Sequence, residues 1–202
     1  MTSYSVFSRY YDALTQNVGY SARCDQLCML LERHHAHPRL VLDLACGTGY
    51  GSYLMAQFNR NIKVDGVDIS SDAIDFANKH YWQDNIHYFC CDAFEFSSLS
   101  VPARKKYSKI VSFETIEHIP DDVKLLNMFH DLLLEEGLLF LSTPNQELMP
   151  FDKIKFPYHF KHYRSEELQK LLVSCGFNIK SVYSQKTNTD RALVSGWNGV
   201  FN

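Results

Sequence analysis

The stretch Val41-Leu42-Asp43-Leu44-Ala45-Cys46-Gly47-Thr48-Gly49-Tyr50-Gly51-Ser52 decides how this chain folds. It opens on a short apolar run, passes into a glycine-rich turn and ends in residues of helical composition. Glycines in such a turn let the backbone come close to a ligand, and the start of the following helix offers N–H groups without intrahelical partners. Asp43, late in the strand, can accept a hydrogen bond from a cationic amine. A zwitterionic amino-acid moiety satisfies both features; the plainer alternative is a strand-to-helix turn that binds nothing.

The next two apolar runs also end in acids. Nineteen residues after Gly49, Val64-Asp65-Gly66-Val67-Asp68 places Asp68 where a carboxylate can receive the two ribose hydroxyls of an adenine nucleoside. Phe89-Cys90-Cys91-Asp92-Ala93 brings Asp92 to the same sheet edge, where it can accept from an exocyclic adenine amine or cap a turn. The residues flanking these acids, Ala45, Ile69 and Ala93, complete the set expected to line a nucleoside. Tyr11, with Tyr10 beside it, can close over the site from the amino-terminal side, although such tyrosines more often only pack.

Five apolar runs read as strands: Arg39 to Ala45, Lys63 to Asp68, Ile86 to Cys91, Lys109 to Phe113 and Leu138 to Thr143. Their near-continuous apolarity suits parallel strands covered on both faces. Tyr50 to Phe58, Asp72 to Lys79 and Asp121 to Leu134 have helical composition. In Ser165 to Cys175, Ser165 can cap, Glu166 and Glu167 suit the positive helix end, and Gly176 stops the helix. This alternation predicts a Rossmann-like, doubly wound, mostly parallel α/β sheet with helices on both faces. We expect one domain over 1–202, with a cofactor-binding core at 39–185 and a helical lid or flank at 1–36. Beyond Gly176, Ile179 to Gln185 reads as a strand, and a last one starts at Gly199 and stops almost at once.

Composition narrows the function. The 20 Lys and Arg against 23 Asp and Glu leave a formal charge of -3, so no global positive field holds nucleic acid, and no nucleic-acid partner is expected. No apolar run reaches the roughly 20 residues of a transmembrane helix, and the first twenty residues lack the apolar core of a signal peptide, which points to the cytoplasm. The six cysteines lack paired metal-ligand spacing and read as reduced thiols, most of them in the core. Oligomeric state is not written in the sequence.

Taken with Ser112-Phe113-Glu114-Thr115-Ile116-Glu117-His118-Ile119 and Ser142-Thr143-Pro144-Asn145, the chain resembles the class I S-adenosylmethionine-dependent methyltransferases from Arg39 to Phe177. The resemblance implies S-adenosyl-L-methionine as cofactor and S-adenosyl-L-homocysteine as product. Gly47 and Gly49 with Asp43 would hold the methionine part, Asp68 the ribose and Asp92 the adenine. In that family the sheet ends in an antiparallel hairpin, which we expect to be cut short here at Asn202. A small-molecule pathway and an oxygen acceptor are the expected setting.

In the Ser112 to Pro120 segment, Glu114, Glu117 and His118 stand three or four apart and can converge in a short helical turn. Two carboxylates and an imidazole suit a divalent metal, and equally a carboxylate-oriented general base. Glu-x-x-Glu-His resembles the metal-binding segment of ubiquinone-biosynthesis O-methyltransferases and of small-RNA 2′-O-methyltransferases, and Glu114 sits where that family often lets a residue face the cofactor. In the latter enzymes the fourth ligand is a histidine ahead of the penultimate helix, which matches His159, with His162 a near competitor. The expected catalytic residues are therefore Glu117, His118 and His159. The basic and aromatic run Lys153 to Arg164 is either an acceptor wall or a loop that packs its aromatics and solvates its lysines.

Two rival functions share parts of the pattern. An NAD(P)-dependent oxidoreductase has the same glycine turn and distal acid, but Gly47-Thr48-Gly49-Tyr50-Gly51-Ser52 lacks the third glycine of that fingerprint, and a dinucleotide leaves Asp43 and Asp92 unexplained. A non-catalytic S-adenosylmethionine-binding partner protein is the other.

Overall fold

The computed structural model describes residues 40–58, 60–98, 107–184 and 196–201. The expected lid at 1–36, Tyr10, Tyr11, Cys24 and Cys28 lie outside the described residues. The chain divides after Phe96 into two compact units.

The first unit alternates strand and helix: β1 (Leu40–Leu44), α1 (Tyr50–Phe58), β2 (Lys63–Asp68), α2 (Ser71–His80), β3 (Ile86–Cys90) and α3 (Ala93–Ser98). Its strands are parallel and ordered β3-β2-β1, with Leu42 opposite Asp65 and Val67 opposite Phe89. Val41, Leu42, Leu44, Val64 and Val67 are almost fully buried, as parallel strands covered on both faces require. Because the strands run the same way, Ala45, Asp68 and Asp92 all emerge at one edge. At α2, Ser70 accepts a hydrogen bond from Ala73 N–H and serves as N-cap. The short helix α3 has no periodic apolar stripe, and the sequence does not announce it.

The second unit contains β4 (Tyr107–Phe113), a 3₁₀ turn (Ile116–His118), α4 (Asp122–Leu132), β5 (Leu133–Pro144), α5 (Ser165–Ser174), β6 (Ile179–Ser184) and β7 (Gly196–Phe201). Here β4 and β5 are parallel, β7 is antiparallel to β5, and β6 is antiparallel to β7. The antiparallel hairpin is thus present, and its last strand starts at Gly196 rather than Gly199. Strand β5 begins at Leu133, where a helix end was expected, because Tyr107 pairs with Leu133 and an irregularity restores register by Lys109 and Leu138. The N-cap of α5 is Arg164, not Ser165. Ser165 is already helical, and its hydroxyl accepts from Gln169 Nε2. Gly176, at φ 92°, ends the helix as expected.

Cysteine placement is also mixed. Of the four described cysteines, Cys46 and Cys175 are buried, whereas Cys90 is exposed and Cys91 half-buried; all four are free thiols. The described residues contain no helix long and apolar enough to cross a membrane.

Candidate active site

In the first unit the strand β1 leads directly into a turn of unusual backbone. Ala45 has φ 61°, Gly47 φ 55° and Gly49 φ 83°. A non-glycine residue in the left-handed region costs free energy, and such strain collects at ligand-binding turns. A Cβ on Gly47 would meet nothing within 4 Å, so this edge of the turn is open to an incoming group. Gly49 faces the opposite way. A Cβ there would come within 2.6 Å of Ala77 Cβ and 2.7 Å of the Tyr88 hydroxyl. That hydroxyl lies 3.1 Å from both Gly49 O and Tyr81 O, so Tyr88 braces the turn from below.

Asp43 is 7% exposed, and its Oδ2 accepts from the Ser52 hydroxyl at 2.6 Å. Burial, opposed by the Ser52 hydrogen bond and reinforced by the nearby Asp68 carboxylate, pushes its pKa up to about 6. Asp68 accepts from Gly47 N–H through Oδ2 and from Ser70 N–H through Oδ1, each at 2.9 Å. Burial raises its pKa, and the backbone donors at Ser70 and Gly47 pull the other way. Each oxygen keeps a second lone pair, so two ligand hydroxyls can still donate to it. Between Asp68 and Ser70, Ile69 is 65% exposed, an apolar side chain held in water where a flat base can cover it. Asp92 takes the capping role: its Oδ1 accepts from Phe94 N–H at 2.8 Å, and Phe96 N–H donates to its carbonyl. Both expected uses of Asp92 stay compatible, because the carboxylate has a second oxygen. Ala93 is the first residue of α3. The arrangement amounts to an acidic, partly buried turn with an open backbone edge, able to hold a ligand that is cationic at one end and carries vicinal hydroxyls and a flat base at the other.

In the second unit, β4 gives way to Glu114 at φ 52°, with Ala45 the other non-glycine residue with positive φ among the described residues. Its N–H donates to Ser142 O, and the Ser142 hydroxyl donates to its Oε1 at 2.8 Å. Glu117 is 1% exposed, and the Thr143 hydroxyl donates to its Oε2 at 3.0 Å. The following loop is tied to this turn twice: Phe160 N–H donates to Glu117 O at 2.7 Å, and His118 Nδ1 lies 3.1 Å from Tyr158 O. A carbonyl only accepts, so His118 Nδ1 carries the hydrogen and Nε2 of the neutral ring is a lone pair.

These ties bring His159 against His118, with ring centroids 4.4 Å apart. Ligand atoms of Glu117, His118 and His159 all lie within 4.8 Å of one another. The loop itself is fastened to α4. Lys161 Nζ sits 2.6 Å from Asp122 Oδ2, and the Tyr163 hydroxyl donates to the same oxygen. Burial lowers the pKa of His118, and burial with the neighbouring His118, His162 and Lys153 lowers that of His159 to about 4. Both rings are therefore uncharged near neutrality and offer lone pairs. A buried carboxylate and two neutral imidazoles match the donor set of zinc and other divalent first-row metals.

Glu114 departs from expectation. It is close enough to act on the His118 charge, but it is not part of the cluster of ligand atoms, because its left-handed backbone turns the carboxylate onto Ser142. Ser52, Tyr88 and Thr143 escaped the sequence reading. Ser52 had a signal as the last residue of the glycine-rich stretch, and Thr143 as part of Ser142-Thr143-Pro144-Asn145; Tyr88 had none.

An open glycine turn beside parallel strands, with Asp43 near the end of β1, Asp68 at the end of β2 and Asp92 just beyond β3, is the frame of the Rossmann-like methyltransferase folds. A methyltransferase-domain family model matches residues 19–182, and the chain belongs to that family, as an S-adenosylmethionine-dependent methyltransferase domain. It is similar to a ubiquinone biosynthesis O-methyltransferase of Actinobacillus pleuropneumoniae, 32% identical over 120 residues, which covers 55% of this chain and 48% of that protein. The chain spans about half the length of the curated relatives it matches. A crystal structure of an S-adenosylmethionine-dependent methyltransferase from Clostridium acetobutylicum superposes with a TM-score of 0.74 at 16% identity, over 100% of this chain and 99% of that one. The plantazolicin methyltransferase BamL, solved with a triazolic desmethylPZN analog and SAH, gives a TM-score of 0.77 at 15% identity, covering 96% of this chain and 89% of that one.

Proposed function

We propose that this protein transfers the methyl group of S-adenosylmethionine to an oxygen of a small-molecule acceptor, and that residues 1–202 act as one methyltransferase domain. The observation that carries the donor half is the pair Asp43 and Asp68. A buried Asp43 carboxylate, disfavoured further by the neighbouring Asp68 charge, calls for a cation, and S-adenosylmethionine brings an ammonium and a sulfonium. The pyrophosphate of NAD would meet the same charges with the wrong sign. Gly47, in a turn that Gly49 lets pack tightly on Ala77 and Tyr88, would seat the methionine part, Asp68 the ribose, and Ile69, Asp92 and Ala93 the adenine.

In the transfer an acceptor oxygen attacks the methyl carbon, the carbon–sulfur bond breaks, and its electron pair returns to sulfur to leave S-adenosylhomocysteine. Aligning donor and acceptor can supply up to about 7–11 kcal/mol, and removing the hydroxyl proton with a positioned base adds roughly 10²–10⁴-fold. The proton goes to a neutral imidazole, His118 or His159, with Glu117 orienting the pair. A divalent ion bound by Glu117, His118 and His159 would instead acidify the hydroxyl. An oxygen acceptor is supported by the ubiquinone O-methyltransferase named among the relatives.

The test is calorimetry with S-adenosylhomocysteine and NAD, followed by methyl-release assays with and without a chelator. Binding of S-adenosylhomocysteine and not NAD is expected, with turnover lost in H118A and H159A while product affinity holds. Turnover that survives both substitutions sinks the assigned role of the cluster.

A further inference from the structure

Three hydrogen-bonding groups in the second unit stand in a line that ends on the main chain. His162 Nδ1 lies 2.6 Å from Met149 O, and His162 Nε2 lies 2.7 Å from His159 Nδ1. The carbonyl can only accept, so His162 Nδ1 carries the hydrogen. In the neutral ring Nε2 is then a lone pair, and it accepts from His159 Nδ1, which must carry its own hydrogen. His159 Nε2 is left as a lone pair. In water an imidazole favours the other tautomer, with its hydrogen on Nε2, so the relay from Met149 O reverses the intrinsic preference.

We propose that His162 is a positioning residue, whose ring, braced on Met149 O, fixes His159 in the tautomer that presents Nε2 to Glu117 and His118. Packing makes the brace rigid. His162 is 4% exposed, with the Phe151 and Phe156 rings 5.5 and 4.7 Å from it, and Phe156 also stacks on His159 at 5.2 Å. The same bonds remove His162 from competition as a ligand, since both of its nitrogens are already engaged. A hydrogen bond that sets the tautomer of a ligating or basic histidine is the usual way a neighbouring group tunes such a site. The proposal rests on reading Glu117, His118 and His159 as one site, and it adds what makes His159 usable there.

The experiment follows ring nitrogens in the full chain labelled with ¹⁵N-histidine, by long-range proton–nitrogen correlation near pH 7.5, in wild type, H162Q and H162L. A glutamine can accept from His159 through its side-chain oxygen; leucine cannot. The wild type and H162Q are expected to show His159 with its hydrogen on Nδ1, and H162L to move it to Nε2. Cobalt(II) alone then serves as a probe of the site by its absorption bands, with affinity expected to fall about 10–100-fold in H162L and to stay within a few-fold of wild type in H162Q. A wild-type His159 with its hydrogen on Nε2, or a doubly protonated His162, overturns the proposal without recourse to any variant. A tautomer unchanged in H162L, or one that moves with no loss of cobalt affinity, overturns it as well. Expected tautomers in a wild type that does not take up cobalt support the relay and count against the metal reading alone.

Discussion

Ser52 Oγ lies 2.6 Å from Asp43 Oδ2, and this short hydrogen bond is what keeps a carboxylate in place at a site where burial works against its charge. The folded pKa of about 6 stands above the unfolded value near 3.8. The unfolded chain therefore loses its proton first as pH rises, and the native state loses stability across that window, with the full cost present above about pH 6.

Asp43→Asn should consequently stabilise the ligand-free protein at pH 7 while removing cofactor binding. The amide oxygen still accepts from Ser52, and the gain is on the order of 2–3 kcal/mol at most. For a chain of this size that corresponds to a melting temperature higher by roughly 4–12 °C at most. Thermal scans at pH 4 and pH 7, with and without S-adenosylhomocysteine, check it: the variant's advantage should shrink at pH 4, and a variant that still gains stability from ligand contradicts the assigned role of Asp43.

Gly47 and Gly49 should respond differently to alanine. At Gly49 the new methyl meets Ala77 and Tyr88 at under 3 Å and the backbone is left-handed, so a loss of about 2–4 kcal/mol is expected. At Gly47 the methyl meets nothing and only the left-handed backbone penalty of about 1–2 kcal/mol applies. Its effect should fall on ligand affinity, because the methyl occupies space left open by the turn. Denaturant unfolding and calorimetry on the two variants separate these outcomes.

Asp68→Ala should weaken S-adenosylhomocysteine binding by at least tenfold and also cost about 1–3 kcal/mol of stability, since it strips two backbone N–H groups, Gly47 and Ser70, of their acceptor. Asp68→Asn keeps one acceptor oxygen and should recover part of the stability with less of the affinity. Equal affinity in wild type and both variants removes Asp68 from the binding site.

Asp122 gives an acid-sensitive fastening for the loop that carries His159. Burial raises its pKa, but hydrogen bonds from Lys161 and Tyr163 outweigh it and hold the carboxyl below the usual value of 3.8. Its contribution, about 1 kcal/mol for a pair with Lys161 partly exposed, is present at neutral pH and disappears as pH falls below about 4 through the lowered folded value. Urea unfolding of wild type and Asp122→Asn should differ at pH 7, and the difference should shrink as the pH falls below about 4. Equal stability of the two at pH 7 means the loop is held by other contacts.

The sequence by itself determined the succession of buried parallel strands, the glycine turn and the acids at its strand ends. Those features are local: apolar runs such as Val41 to Leu44, glycines at the left-handed positions 47 and 49, and a carboxylate a fixed distance along the chain. It also placed Glu117 and His118 together, because a single 3₁₀ turn joins them. The tertiary structure alone decided the rest. His159 reaches His118 because Phe160 N–H and Tyr158 O are bonded to the Glu117–His118 turn from the far end of a long loop. Glu114 leaves the cluster because Ser142, from β5, captures its carboxylate. His162 turns from competitor into support because Met149 O fixes where its hydrogen sits. In each case the deciding group is a main-chain or hydroxyl partner remote in sequence, and such partners have no residue pattern to announce them; they exist only once the backbone has been brought around.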